Sequence, residues 1–438
     1  MRHPEMDAAA QIGIALLGVG VVGGGVATIL AERAAEYARR VGRPLVLRHL
    51  LVRDPDKPRP ASVDRALLTT DPEEIFADPH VQIVIEVMGG EHPALEYITR
   101  AITSGRHVVT ANKEVMAKHG SEVLTLAQRH GVVVMYEASV GGGIPLIAPL
   151  KRDLLANELI EARAIINGTT NYILTRMAYE GADFAEALRA AQELGYAEAD
   201  PTADVEAFDA VYKLAILASL AFRTEVRPEQ IYREGITKLT ARDFRYATEL
   251  GYAIKLLAIG RRRPEGIEAR VHPALIPLSQ PLAKVDGVFN AVQLEGDLLG
   301  TVLFQGRGAG SMPTTSAVVA DLIDVARALA QGKTEPFPWL RDGPCPVLPM
   351  DGVRTRYYVR VQVADRAGVL AKITRVLGER HGISIASIIQ KETDEAAQTA
   401  ELVIMTHEAV EAAVQQAVRE MADLDVVAGV GNVVRVEG

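Results

Sequence analysis

The sequence predicts an α/β chain in three parts: a parallel sheet covered by helices, an α+β region, and a ferredoxin-like C-terminal unit. Three patterns carry that prediction. Through the first part, short β-branched runs alternate with helical stretches, which implies a parallel sheet covered on both faces. After Gly141 helices cluster and longer strand-like runs follow, which suits helices packed on one face of an antiparallel or mixed sheet. From residue 357 the order is β-α-β-β-α-β, the split βαβ arrangement.

Taken in order, buried-strand runs fall at 12–17, 45–52, 81–87, 107–110 and 132–136, with helical stretches at 26–40, 93–104 and 114–130. Further helices are expected at 171–180, 184–194, 205–221 and 241–252, then strands at 254–261, 267–276, 288–294 and 299–304. Residues 331–356 collect five prolines with glycine and aspartate and no apolar period, so 331–355 reads as a linker. The last unit places strands at 357–363, 384–390, 400–406 and 425–436 and helices at 369–379 and 408–421. The blocks that follow are 1–140, 141–305, the linker, and 356–438.

At 438 residues the chain is too long for one hydrophobic core. Its 48% hydrophobic and 24% charged residues are those of a soluble globular protein. A net charge of −9 argues against a nucleic-acid or anionic-membrane partner. The single cysteine, Cys345, excludes an intrachain disulfide framework and a cysteine-rich metal site, and suits a reducing, cytoplasmic compartment. The uncharged run 12–31 has the length of a membrane span, but its glycines fit a strand, a tight turn and a buried helix.

Gly18, Gly20 and Gly23 form G-x-G-x-x-G at the first predicted βα junction. In that context the first glycine permits the turn, the second admits a pyrophosphate, and the third lets helix and strand pack. The helix N-terminus supplies N–H donors. This marks a Rossmann-type dinucleotide site. Near the end of the second strand an acid favours NAD and an arginine favours NADP. The chain offers Arg53, Asp54 and Lys57 there, so both cofactors stay open, and Arg53 reads equally as a solvated loop charge.

Asp209 and Lys213 are four apart on a predicted helix and share a face. A surface ion pair would explain two such residues. Here, however, Glu198, Asp200, Asp204 and Asp209 crowd ahead of one lysine, just past a glycine turn. A small zwitterionic substrate needs such a set: carboxylate for an ammonium group, lysine for proton transfer. Lys113, in TANK, follows a predicted parallel strand, at the edge where open sheets bind ligands. As a first-turn helix residue it is electrostatically ill-placed, which favours a functional role. The run EASVGGGIP, from Glu137 to Pro145, follows another strand. Its turn can aim several carbonyls at one point and, with Glu137, cage a hard cation, although such a turn also reads as a domain hinge.

Together these segments resemble homoserine dehydrogenase over residues 12–330. The likeness rests on GVGVVG (18–23), TANK (110–113), EASVGGGIP (137–145), NGTTNYI (167–173), GYAEADP (195–201), Asp209 with Lys213, and GRGAG (306–310). The resemblance implies interconversion of homoserine and aspartate 4-semialdehyde with NAD or NADP, in threonine, methionine and isoleucine biosynthesis. It implies a cofactor lying along Gly18, Gly20, Val21, Val22, Gly23, Gly89, Lys113, Gly195 and Gly310. Glu198 would bind the substrate amino group, with Gly168, Thr169, Tyr196, Asp204 and Asp209 lining the pocket. Lys213 would transfer the proton, with Lys113 beside it. Sodium would be held by the Glu137 carboxylate and the carbonyls of Val140, Gly142 and Ile144. Segment 306–330 would return to the nucleotide domain, and the middle domain would supply the interface of a homodimer or higher homo-oligomer.

The tail resembles an ACT domain, a small effector-binding module. Asp365, Gly368, Val369 and Leu370 sit at its first strand-to-helix turn, where such domains bind amino acids, and Ala367 replaces a frequent proline. The resemblance implies threonine as effector. Two rival readings are another amino-acid or semialdehyde oxidoreductase with the same domains, and a non-catalytic sensor. Against the sensor stand Lys113, Glu198, Asp209 and Lys213, since a sensor needs no paired-lysine site.

Overall fold

The computed structural model describes residues 11–334, 345–394 and 398–438. It divides into two compact units, one formed by 11–159, 215–228 and 296–334, the other by 160–214, 229–295 and the described part of 345–438. These units cut across the linear blocks drawn from the sequence, because the C-terminal region shares a unit with the central strands.

The first unit opens with β1 (Ile12–Leu17), α1 (Val21–Glu32), α2 (Ala34–Val41), β2 (Leu45–Leu51) and β3 (Leu68–Thr69). It continues through α3 (Pro72–Ala77), β4 (Val81–Glu86), α4 (Ala94–Thr103), β5 (His107–Thr110) and α5 (Lys113–His130). Then come β6 (Val134–Met135) and α6 (Ile147–Lys151). The six strands are parallel, in the order β3-β2-β1-β4-β5-β6. The order reverses beside β1, so a crevice opens at the carboxyl ends of β1 and β4, where doubly wound sheets bind dinucleotides. Every residue of β1 is buried, as helices on both faces require.

The first helix starts at Val21, not at 26. Glycine costs about 1 kcal/mol in a helix, so Gly23, Gly24 and Gly25 read from sequence as a turn. Close packing keeps Gly23 and Gly25 as glycine. A Cβ on Gly23 would lie 1.9 Å from the Gly18 carbonyl oxygen, and one on Gly25 2.4 Å from Thr315 Oγ1.

The second unit begins with β7 (Leu159–Ile165), α7 (Gly168–Glu180), α8 (Phe184–Glu193), α9 (Thr202–Val205) and α10 (Phe208–Ala221). Next come β8 (Tyr232–Arg233), α11 (Ala241–Glu249), β9 (Tyr252–Arg263), β10 (Gly266–Pro277) and β11 (Phe289–Gly296). Two elements of the first unit follow, β12 (Gly300–Arg307) and α12 (Ser311–Ala330). Ala317, Val318, Leu322 and Val325 of α12 are buried in the same core as Ile14, Leu16 and Val26.

The C-terminal elements are β13 (Val347–Leu348), β14 (Arg354–Ala364), α13 (Val369–Thr374), β15 (Ile385–Asp394) and β16 (Thr399–Thr406). They end with β17 (Ala409–Val410), α14 (Glu411–Ala422) and β18 (Val427–Val436). A π-helical turn, Arg375–Arg380, extends α13. In the second unit's sheet the strands run β11-β7-β9-β10-β18-β14-β16-β15. β18 lies parallel to β10, with Ala274 opposite Arg435 and Leu275 opposite Val436, so the C-terminal sheet continues the central one. Residues 345–348 are not free linker, because β13 also pairs with β10; 335–344 of the expected linker lie outside the described residues.

One expected helix is broken. Residues 205–221 form the end of α9, a left-handed Ala207 at φ 65°, and α10. The break puts Asp209 in the first turn of α10, where the helix dipole favours a carboxylate.

Candidate active site

At the nucleotide end, β1 delivers the chain to Gly18, whose φ of +93° side chains rarely adopt. Gly20 is the N-cap of α1, and a Cβ there would meet nothing within 4 Å. The backbone at Gly20 is therefore open to approach. The first bond within α1 runs from Gly24 N–H to the Gly20 carbonyl, which leaves the N–H groups of Val21, Val22 and Gly23 ahead of it. Val21 is 74% exposed. A pyrophosphate fits this cradle by charge and by space.

After β2, Arg53 and Lys57 are exposed. Arg59 and Arg65 are engaged by the loop itself: Arg59 donates to the Lys57 carbonyl at 2.9 Å, and Arg65 to that of Pro55 at 3.0 Å. At the ends of β4 and β5 sits a carboxylate that sequence reading missed. Glu86 is fully buried, accepts from the Thr110 hydroxyl at 2.7 Å and from Met88 N–H at 2.8 Å, and burial pushes its pKa up. Its signal is an acid ending an apolar strand. Asn112 caps α5, accepting from Val115 N–H at 3.1 Å, and its amide donates to the Gly90 carbonyl at 2.7 Å, beside Gly89. Lys113 is the first residue of α5, and Gly310 is the N-cap of α12.

The second unit brings several of the expected substrate residues together. Lys213 Nζ donates to Asp209 Oδ2 at 2.7 Å and to the Ile166 carbonyl at 2.8 Å. Asp209 and Lys213 are buried. Asn167 Nδ2 donates to Asp204 Oδ1 at 2.6 Å and to Asp209 Oδ2 at 2.9 Å. The helix break makes this possible, since residues five apart in a continuous helix point about 140° apart. Burial raises the Asp204 pKa; the Asn167 bond opposes this and the Asp209 charge adds to it. Thr169, in the first turn of α7, donates to the Tyr196 carbonyl at 2.7 Å, and the Tyr196 ring lies 5.1 Å from that of Tyr172.

Gly168 begins α7, and Gly195 turns the chain after α8 at φ +74°. Glu198 and Asp200 are exposed on the loop between α8 and α9. Among the described residues the Glu198 carboxylate makes no bond to the cluster, and its carbonyl accepts from Gln192 at 3.1 Å. Asn167, the first residue of NGTTNYI, joins the cluster although no role follows from the motif alone. Its signal was its place directly before a glycine and two threonines at a helix start, an N-cap pattern.

In the first unit, Glu137 is buried and its carboxylate accepts N–H bonds from Leu146, Ile147 and Ala148, which caps α6. Gly141 and Gly142 both turn with positive φ. Among the described residues the carbonyls of Val140, Gly142 and Ile144 accept no backbone hydrogen bond. Hard oxygen donors in a buried turn fit a cation of sodium's class. No group of three or more His, Cys, Asp or Glu residues able to hold a metal occurs among the described residues.

In the turn from β14 to α13, Asp365, Gly368 and Leu370 are exposed and Val369 is buried. No helix among the described residues is long and apolar enough to cross a membrane, so the uncharged run 12–31 is β1 and α1.

The chain matches three family models: the NAD-binding domain of homoserine dehydrogenase over residues 18–137, homoserine dehydrogenase over 145–323, and the ACT domain over 357–426. It is 46% identical over 435 residues to homoserine dehydrogenase of Mycobacterium tuberculosis, covering 98% of each chain. With that of Neisseria gonorrhoeae it shares 44% over 431 residues, 97% of this chain and 98% of the relative. A crystal structure of homoserine dehydrogenase from Thiobacillus denitrificans superposes with a TM-score of 0.91 at 46% identity, covering 98% of both chains. A hyperthermophilic archaeal homoserine dehydrogenase in complex with NADPH gives a TM-score of 0.61 at 27% identity, over 72% of this chain and 97% of that one.

Proposed function

The chain belongs to the homoserine dehydrogenase family, and we propose that Lys213, oriented by Asp209, is the proton-transfer group of its reaction. The family's reaction is the NAD(P)-dependent interconversion of homoserine and aspartate 4-semialdehyde, and this chain adds an ACT domain. The observation that carries the proposal is a buried lysine whose ammonium is fixed by one carboxylate and one carbonyl.

When bound, the nicotinamide cofactor supplies the hydride acceptor. Gly18, Gly20, Val21, Val22 and Gly23 would hold its pyrophosphate, with Gly89, Gly195, Gly310 and Lys113 along it. Arg53 and Lys57, exposed past β2, would meet the adenosine ribose and its 2′-phosphate if NADP is used. Glu198 would take the substrate ammonium, a role its exposed position leaves it free to fill, within a pocket lined by Gly168, Thr169, Tyr196, Asp204 and Asp209. As homoserine is oxidised, Lys213 Nζ takes the hydroxyl proton, and in the reverse direction returns it to the carbonyl oxygen. Lys213 accepts that proton only as the neutral amine, and Lys113 would be the second lysine of the reaction.

Sodium, held by Glu137 with the carbonyls of Val140, Gly142 and Ile144, would brace the turn that leads into α6. The first turn of the ACT unit, at Asp365, Gly368, Val369 and Leu370, would take threonine. The protein would work in the cytoplasm as a homodimer or higher homo-oligomer, with no nucleic-acid or membrane partner. The linear domains proposed are 1–140 with 306–330, 141–305, and 356–438.

The test is formation of NADH or NADPH from homoserine, each cofactor in turn, with wild type, Lys213→Ala and Glu198→Gln. Turnover is expected to collapse in the first variant. In the second the Michaelis constant for homoserine should rise, because charge-assisted hydrogen bonds are roughly twice as strong as neutral ones. Wild-type turnover in Lys213→Ala would refute the assignment of the proton-transfer group.

A further inference from the structure

We propose that Asn167 is a positioning residue of the reaction: its side-chain amide joins Asp204 to Asp209 and so holds Asp209 where it orients the Lys213 ammonium. The inference rests on the role given to Lys213 above and adds a residue that this role requires.

Each side-chain valence of Asn167 is used, and the pattern fixes which way the amide faces. Oδ1 accepts from Thr170 N–H at 2.8 Å, capping α7, so Nδ2 must face the acids. Its two hydrogens reach Asp204 at 2.6 Å and Asp209 at 2.9 Å. Asp209 Oδ2 is thereby shared between a neutral amide and the lysine. Without a donor between them, two neighbouring carboxylates repel, and a proton on one relieves the other.

The same turn holds the lysine by a second route. Ile166, the residue before Asn167, accepts from Lys213 Nζ through its carbonyl. Any shift of Asn167 therefore moves the carboxylates and the carbonyl that fix Nζ, and a misplacement of about 1 Å can cost roughly 100-fold in rate. Only asparagine serves both purposes. Aspartate and serine cap a helix about as well, yet neither carries the two N–H donors.

That distinction separates a positioning role from a merely structural one. Asn167→Ser and Asn167→Asp keep the cap of α7 and lose the donors, whereas Asn167→Ala loses both. The expected result is a melting temperature lowered in Ser by the two lost bonds and lowered further in Asp, which sets a third carboxylate beside two others, and in Ala, which also loses the cap, with kcat down roughly 100-fold in all three and the cofactor KM unchanged. The groups facing Asp204 are Asn167, Asp209, Thr169 and Lys213. Removing the amide that lowers its pKa should therefore move the acid limb of kcat/KM for homoserine to higher pH in Asn167→Ser. Wild-type kcat and pH profile in Asn167→Ser, or loss of activity only in step with melting temperature, would overturn the inference. Lys213→Ala, assayed alongside, separates the failures. If it is inactive while Asn167→Ser is normal, the Asn167 role alone falls. If it is active, the reading of the whole site falls.

Discussion

The cluster around Lys213 sets one lysine against Asp204 and Asp209 with an asparagine between them, whereas the cluster joining the central strands to the C-terminal unit matches each guanidinium with carboxylates. In the second cluster Arg435 donates to Glu411 at 2.9 Å and to Glu234 at 2.7 Å, and Tyr357 adds a bond to Glu411 at 2.9 Å. Arg360 donates to Asp243 at 2.8 Å and to Glu401 at 2.7 Å, while Asn432 and Tyr246 complete the same two carboxylates at 2.6 Å each. Burial alone would lower the Arg435 pKa, but the Glu411 bonds hold it above its usual value. Glu411 is kept below the usual carboxylate range by Arg435 despite its own burial.

The contrast lies in the choice of cation. Arginine cannot give up its proton and forms two parallel bonds, which suits a permanent joint. Lysine can release a proton, and an acid such as Asp204, whose pKa is raised by burial, marks a site not arranged for lowest energy. Burial alone would not have separated the two clusters, since both lie in the interior of one unit.

The sharpest way to break the comparison is to delete each cation. Lys213→Ala is expected to lower kcat by about 10²–10⁴-fold, the usual contribution of a general acid or base, read by steady-state homoserine oxidation. Arg435→Met should leave the residues around Lys213 in place but destabilise the fold by about 3–5 kcal/mol, because Glu411 stays buried without its partner. Denaturant unfolding measures that loss, and a loss below about 1 kcal/mol would place Arg435 among ordinary surface pairs.

Cutting the tail after Lys333 sharpens the comparison further. It removes β13 and β18, both paired with β10, and takes Glu437 from Arg270, to which it bonds at 2.7 Å. The truncated chain should therefore melt lower and aggregate through an uncovered edge strand, not simply escape an effector. A soluble truncated enzyme with wild-type melting temperature would show that the joint contributes little. Threonine is better tested on the full chain, by calorimetry of wild type against Asp365→Ala. A smaller effect is expected for Tyr246→Phe, which leaves Glu401 one bond short and should cost about 1.5–3 kcal/mol, the range for a bond to a charged group.

Acid gives the finest comparison, because the clusters respond with opposite sign. Glu411 and Glu437 have folded pKa values below their ordinary ones, Arg435 and Arg270 respectively overcoming burial. Their stabilisation is present above the usual carboxylate pKa of about 4.3 and is lost as pH falls through the lower folded values. Asp204, with its folded pKa raised, binds a proton more readily folded than unfolded, so acidification first favours its native state. Activity should thus fall on acidification before the fold does. Arg435→Met should narrow the gap by moving the acid unfolding midpoint upward, as pH titrations of activity and circular dichroism would show.

Much of this was legible in the residues. The strand at 12–17 and the glycine turn after it follow from an apolar run and three spaced glycines, because backbone approach to a phosphate tolerates little else. The β-α-β-β-α-β order of the tail was likewise readable from periodicity. Glu86 was legible only as an acid ending an apolar strand, since its bonds to the Thr110 hydroxyl and the Asn112 amide join residues 24 and 26 apart in the chain.

The sequence by itself determined which residues could do the chemistry, because glycine spacing, a carboxylate-rich run and an Asp-Lys pair four apart are local in the chain. Tertiary structure decided how they are used. The left-handed Ala207 splits one expected helix and turns Asp204 and Asp209 toward the same amide, a fact that no helical period contains. Pairing of β18 with β10 makes the apparent tail part of the central sheet. Both depend on contacts between residues far apart in the chain, and periodicity, being a property of neighbours, cannot carry them.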